Sequence, residues 1–310
     1  MHRTGIRLGI WRGEPSVTLV AGEHDATFLP GCGMLGASLR HRSEEFIAWP
    51  RTLQQFETGR MTAMPLVHPW GNRLESREYR VGRKRLDLRG LDLPTDPNGL
   101  LMHGNLRGAP FDLVRAYANE HAAHLVARLD YGARPDLLCA FPFPHVVTID
   151  ARLDAAGLRI ATELTPTGRA AVPVSFCWHP FFRIPGAPKR EWELRWPACE
   201  RVLVDERVIP TGERVAQPAE RAPLARRTFD DHYALGADRR FSLAARGRRV
   251  DLRFGPTFPF AQLYVPARGA FAAIEPMTAT IDALGRGLTP LVAPGEQFRA
   301  WFTVAVRAGK

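Results

Sequence analysis

Along residues 145–153, Val147, Ile149, Ala151 and Leu153 alternate with polar or small neighbours. Asp154-Ala155-Ala156-Gly157 has turn character, and Leu158, Ile160, Thr162 and Leu164 then resume the alternation. A period of two places successive side chains on opposite faces of a strand, so this stretch predicts a β-hairpin. A further run puts Val172, Val174, Phe176 and Trp178 on one face and Ser175, Cys177 and His179 on the other. Shorter period-two runs recur at 124–129, 250–254, 262–265 and 298–306. No stretch carries the 3.6-residue period of a long amphipathic helix. Residues 96–99 and 183–189 have the Pro, Gly and Asn content of turns or loops. No repeat of fixed period and no low-complexity linker interrupts the chain. These patterns predict an all-β fold of many mostly antiparallel strands with few short helices, in one domain spanning 1–310. A large sandwich fits this length, and an eight-stranded barrel would leave residues over.

Composition sharpens the picture in three places. Apolar residues make up 45% of the 310 residues and charged residues 24%, enough for a sizeable core and unlike a disordered chain. No apolar run reaches the length of a membrane-spanning helix, and residues 1–7 lack the apolar stretch of a secretory signal, so no membrane partner is expected. The four cysteines, Cys32, Cys139, Cys177 and Cys199, form no Cys-x-x-Cys pair or zinc-like spacing. They are expected to be small buried hydrophobes in a cytoplasmic protein. The formal charge of +10 invites a nucleic-acid partner. The basic residues are nearly all arginine, however, and are dispersed without a tail or basic helix. GC-rich coding explains that balance, and no nucleic-acid partner is expected.

Five segments place polar groups where a plain β core would not. His68-Pro69-Trp70-Gly71-Asn72-Arg73 offers a fixed guanidinium fork and an amide, both suited to hydroxyl groups. In Leu101-Met102-His103-Gly104 the glycine allows close backbone approach beside an imidazole. In Ser175-Phe176-Cys177-Trp178-His179-Pro180-Phe181-Phe182 an imidazole lies among apolar neighbours, and Pro180 ends ladder pairing, so His179 should stand at a strand end. Phe229-Asp230-Asp231-His232-Tyr233 brings two carboxylates that could grip hydroxyls or a cation. In Ala272-Ala273-Ile274-Glu275-Pro276-Met277-Thr278 a carboxylate follows a small apolar run, the setting of a tuned base. Each segment taken alone also has a structural reading: a turn, a satisfied core histidine, a solvated acidic pair or an ion pair with an arginine.

Taken together and in this order, the segments resemble the aldose 1-epimerase (galactose mutarotase) family. Asn72-Arg73, His103-Gly104, Trp178–Phe182, Glu275-Pro276-Met277-Thr278, Asp282-Ala283-Leu284 and Pro294-Gly295-Glu296 carry the resemblance, and residues 31–39 look like that family's first strands. It implies a galactose-mutarotase-like β-supersandwich with an open sugar cleft, a small-molecule sugar as partner, and neither metal nor organic cofactor. By matching motif, His179 would be the general acid and Glu275 the general base of anomer interconversion on a hexose such as glucose or galactose. His103 would assist proton handling and bind the sugar, while Asn72, Arg73 and Asp230 would hold hydroxyls. Asp230 fits better than Asp231, because Asp230, Tyr233 and Leu235 reproduce the family's spacing. Two departures stand out. The family's common His-Pro-Tyr-Phe reads His-Pro-Phe-Phe here, and Arg183 follows where a neutral Asn is frequent. Arg183 as a substrate-binding cation would favour an acidic substrate such as a hexose 6-phosphate. A sugar-binding or sensor protein on the same fold is the non-catalytic alternative. A glycoside hydrolase is disfavoured because the partner of Glu275 is a histidine.

Overall fold

The hairpin anticipated from the alternation forms as two ten-residue strands, His145–Asp154 and Gly157–Pro166, closing with Asp154 opposite Gly157. Gly157 adopts φ +129°, and a Cβ there would stand 2.6 Å from the Val304 carbonyl oxygen, so the turn needs glycine. The computed structural model describes residues 4–309. The hairpin lies within a nine-stranded sheet whose order runs from Asp112–Ala118 through Phe298–Arg307 to Glu220–Pro223. Among the described residues each end strand pairs with one neighbour only, so the sheet is open rather than a closed barrel. All of its strand pairs are antiparallel.

Two further sheets pack with it. Residues 4–45 form a five-stranded antiparallel meander. Its Val17, Leu19 and Phe28 share one apolar cluster with Leu125, Ile149 and Ala151 of the nine-stranded sheet. Arg248 Nε bonds Glu44 Oε2 at 2.8 Å across the same junction. An eight-stranded sheet contains Phe229–Leu235, Phe260–Val265 and Ala272–Met277 as neighbours. It is tied to the nine-stranded sheet by Trp178, whose indole N–H donates to Thr162 Oγ1 at 2.9 Å and whose ring lies 5.8 Å from Phe302. Among the described residues, helices are limited to Leu53–Glu57, Pro135–Leu138 and Ala283–Arg286 with three short 3₁₀ turns. None is long and apolar enough to cross a membrane.

The 172–178 run differs from its expectation. Val172, Val174, Phe176 and Trp178 do share the core, but the segment is not one strand. Val172–Pro173 pairs with Leu291–Val292, whereas Cys177–Trp178 pairs with both Ala272–Met277 and Leu66–Val67. The break spans residues 174–176, and Phe176 N–H donates to Thr278 Oγ1 rather than to a ladder carbonyl. The cysteines also depart from uniform burial. All four are free, and Cys32 and Cys177 are buried, but Cys139 is exposed and Cys199 half-buried.

Candidate active site

A cavity of about 650 Å³ opens where the eight-stranded sheet meets two loops. Its lining includes Asn72, Arg73, His103, His179, Asp230 and Glu275, drawn from all five segments singled out in the sequence. Register explains the convergence. In the sheet, Glu275 stands opposite Gln262, Gln262 opposite His232, and Asp230 opposite Tyr264. Asp230, Gln262, Tyr264 and Glu275 therefore share the cavity face, and Gln262 Nε2 donates diagonally to Asp230 Oδ1 at 2.7 Å. Phe181 pairs with Ala273, which aligns the 179–182 segment alongside Glu275.

His179 Nε2 lies 3.2 Å from Glu275 Oε1, with both side chains more than nine-tenths buried. Trp178 turns into the core, while His179 and Phe181 line the cavity. Phe181 stacks on the imidazole at 4.5 Å and meets Phe271 edge-on at 5.3 Å, so position 181 supplies a flat apolar wall in place of a hydroxyl. Burial pushes His179 down to about 4. Burial pushes Glu275 well above the usual carboxylate range, Asp230 adds to that, and Arg73 opposes it. Both effects disfavour the charged forms. Such a pair can supply one proton and accept another.

His103 meets His179 edge-on at 5.3 Å. Burial holds it well below its ordinary value, and His179, Arg73 and Arg107 add to the depression. All of these disfavour its charged form. Its backbone is left-handed, φ +65°, as is that of Asn72, φ +63°, and His103 N–H donates to the Asn72 carbonyl at 2.9 Å. Gly104 passes so close to the His68 carbonyl that a Cβ would lie 2.2 Å away, which is why glycine must follow His103.

Arg73 pairs with Met102 in a two-residue ladder. Its Nε donates to Asp96 Oδ2 at 2.7 Å and its Nη1 to Asn72 Oδ1 at 2.8 Å. Asp282 brackets the same strand: its N–H donates to the Arg73 carbonyl at 3.1 Å, and its Oδ1 accepts from Glu75 N–H at 3.0 Å. Asp231 points elsewhere than Asp230 and lies 3.6 Å from Arg201 Nη1.

Arg183 departs from its expectation. It is exposed and absent from the cavity lining. Ladder pairing ends at Phe182, Arg183 N–H turns to the Phe46 carbonyl at 2.9 Å, and the chain leaves through the Pro185-Gly186 turn. Besides Arg73, the arginines that line the cavity are Arg51 and Arg60, which the sequence did not mark. Asp96, Gln262 and Tyr264 were also missed. Gln262 carried a signal, as the polar member at the centre of the apolar run Phe260–Val265. Asp96 was visible only as a turn residue.

The three-sheet architecture and this cleft define a galactose-mutarotase-like fold. A galactose mutarotase-like protein from Clostridium acetobutylicum superposes with a TM-score of 0.88 over 98% of both chains at 17% identity. Galactose 1-epimerase from Lactobacillus acidophilus gives 0.80 over 100% of both chains at 14% identity. No curated protein matches the chain in sequence. The aldose 1-epimerase family profile matches residues 37–305, and the chain belongs to that family.

Proposed function

We propose that this chain is an aldose 1-epimerase that interconverts the α and β anomers of a free hexose such as glucose or galactose. The observation that carries the reading is the His179–Glu275 contact of 3.2 Å inside a cavity edged by hydroxyl-binding groups. Ring opening removes the proton of the anomeric hydroxyl O1, forms the C1 carbonyl, breaks the bond from C1 to the ring oxygen O5, and places a proton on O5. In the charged arrangement His179 donates to O5 and Glu275 takes the proton from O1. The pair is then left as neutral imidazole and protonated carboxyl, the arrangement that burial favours. Rotation about C1–C2 turns the aldehyde, and the reverse transfers close the ring on the other face. A positioned acid and base contribute roughly 10²–10⁴-fold. Arg73, Asn72 and Asp230 hold hydroxyls through both steps, and neutral His103 adds a hydrogen bond. The four free cysteines support a cytoplasmic setting.

Polarimetry of freshly dissolved α-glucose tests the reading. The expected result is an enzyme-dependent approach to anomeric equilibrium; a rate no faster than buffer overturns it in favour of a sugar-binding protein. A second reading, a hexose 6-phosphate as substrate, draws support from Arg51 and Arg60 at the cavity. A preference for glucose 6-phosphate over glucose by orders of magnitude in kcat/KM would establish that reading instead.

A further inference from the structure

We propose that Asp96, a residue outside the proton chemistry, is the positioning residue for the sugar-binding face of the cleft. The proposal rests on the reading of the cavity as a sugar site. Asp96 is the hub of a tight turn. Its Oδ1 accepts from Asn98 N–H at 2.9 Å and Leu100 N–H at 3.0 Å, its carbonyl accepts from Gly99 N–H at 3.0 Å, and its own N–H donates to the Leu100 carbonyl at 2.9 Å. With Oδ1 committed to the turn, Oδ2 is left for Arg73 Nε at 2.7 Å. The Asp96 side chain is fully buried and that of Arg73 is 9% exposed. Asp96 therefore presents no free oxygen to a ligand and acts through the arginine.

The consequence for Arg73 follows from counting its nitrogens. Nε is held by Asp96 and one N–H of Nη1 by Asn72 Oδ1, which leaves both N–H groups of Nη2 and the second of Nη1 for ligand hydroxyls. The chain of contacts continues, because the Asn72 carbonyl accepts from His103 N–H at 2.9 Å. One buried carboxylate thus orients Arg73, then Asn72, then the backbone of His103. An arginine carries several rotatable bonds, and two fixed nitrogens turn a mobile cation into a directed donor. Because Arg73 would grip hydroxyls in the ring and open forms alike, loss of its orientation should raise KM more than it lowers kcat.

The test uses two readouts on the full chain. The first needs no substrate: the ¹⁵N–¹H signal of the Arg73 guanidinium Nε. In the parent protein it is expected to be resolved and slow to exchange with water, and in Asp96→Asn to shift and exchange at least about tenfold faster. An unchanged signal in Asp96→Asn overturns the proposal. The second readout is the mutarotation rate as a function of sugar concentration. Asp96→Asn is expected to raise KM about tenfold with kcat within about threefold, and to change KM less than about twofold when Arg73 is already Met. Arg73→Met leaves the Asp96 carboxylate held by the Asn98 and Leu100 N–H groups, and Arg73→Met/Asp96→Asn removes both charges, so these two are compared if Asp96→Asn alone does not fold. A further KM increase of fivefold or more in the double variant would show that Asp96 acts independently of Arg73 and would overturn the proposal. If the guanidinium signal behaves as expected but the parent protein does not turn over sugar, the functional reading fails and the orientation of Arg73 by Asp96 stands.

Discussion

The strands His145–Asp154 and Ala272–Met277 obey the same geometry and serve opposite ends. From Val147 onward the first alternates buried apolar and half-buried positions, and each polar side chain reaches the outer face. The second is buried at all six positions and carries Glu275 inside. Covering both faces of a strand removes the usual outlet for polar groups. A carboxylate kept there needs a partner, and Glu275 has His179 at 3.2 Å. The hairpin spends its alternation on stability, whereas the cleft strand uses it to hold a titratable group out of water.

That contrast yields predictions that separate the two regions. The largest effect is expected for Glu275→Gln, which should lower kcat by about 10³-fold or more, measured by polarimetry, because the base is lost while the shape persists. The same variant should unfold at a temperature equal to or roughly 2 °C above the parent, because folding no longer has to raise a buried carboxyl above its ordinary range. Ile149→Ala should do the reverse. It should cost about 2–5 kcal/mol in denaturant unfolding, through lost burial and a cavity in the hairpin, with kcat and KM of the folded fraction unchanged.

An intermediate effect is expected from pH. Burial lowers His145 to about 4 and His232 to about 3. Above pH 6.5 these imidazoles are neutral in both folded and unfolded chains. As pH falls below 6.5 the unfolded chain takes up protons that the folded chain refuses, so their contribution to stability is lost progressively between about pH 6.5 and 3. Melting curves across that window should show a falling Tm, and His145→Phe or His232→Phe should reduce the slope where folding survives. The smallest effect is expected at Arg183. Its exposed side chain lies outside the cavity lining, so Arg183→Ala should change kcat/KM by less than about twofold for glucose and for glucose 6-phosphate alike. A selective loss with the phosphate ester would restore the role that the sequence suggested.

The parts of the fold that were legible are those where one face is wet. The hairpin, its turn at Gly157, and the strands Arg248–Phe254 and Phe298–Arg307 all alternate because water selects every second side chain. The cleft was less legible for the same reason. Around Cys177–Trp178 both faces are dry, so alternation carries no boundary, and side-chain bonds such as Phe176 N–H to Thr278 Oγ1 decide where pairing stops. His179 and Glu275 were marked by chemistry out of place among apolar neighbours. Asp96 was not, because an Asp before Pro-Asn-Gly suits any turn, and only its bond to Arg73 distinguishes it. Arg183 was singled out because it stands where the resembled family often has Asn, but the ladder ends at Phe182 and the exposed side chain lies outside the cavity lining.

The central claim is that His179 and Glu275 flank the anomeric centre of a bound aldose, and a crystal structure of the chain soaked with glucose or galactose tests it most directly. The account predicts His179 Nε2 within hydrogen-bond distance of the ring oxygen and Glu275 within hydrogen-bond distance of O1, with Arg73 and Asp230 on the remaining hydroxyls. A sugar seated in the cavity with its anomeric carbon turned away from both residues would contradict it.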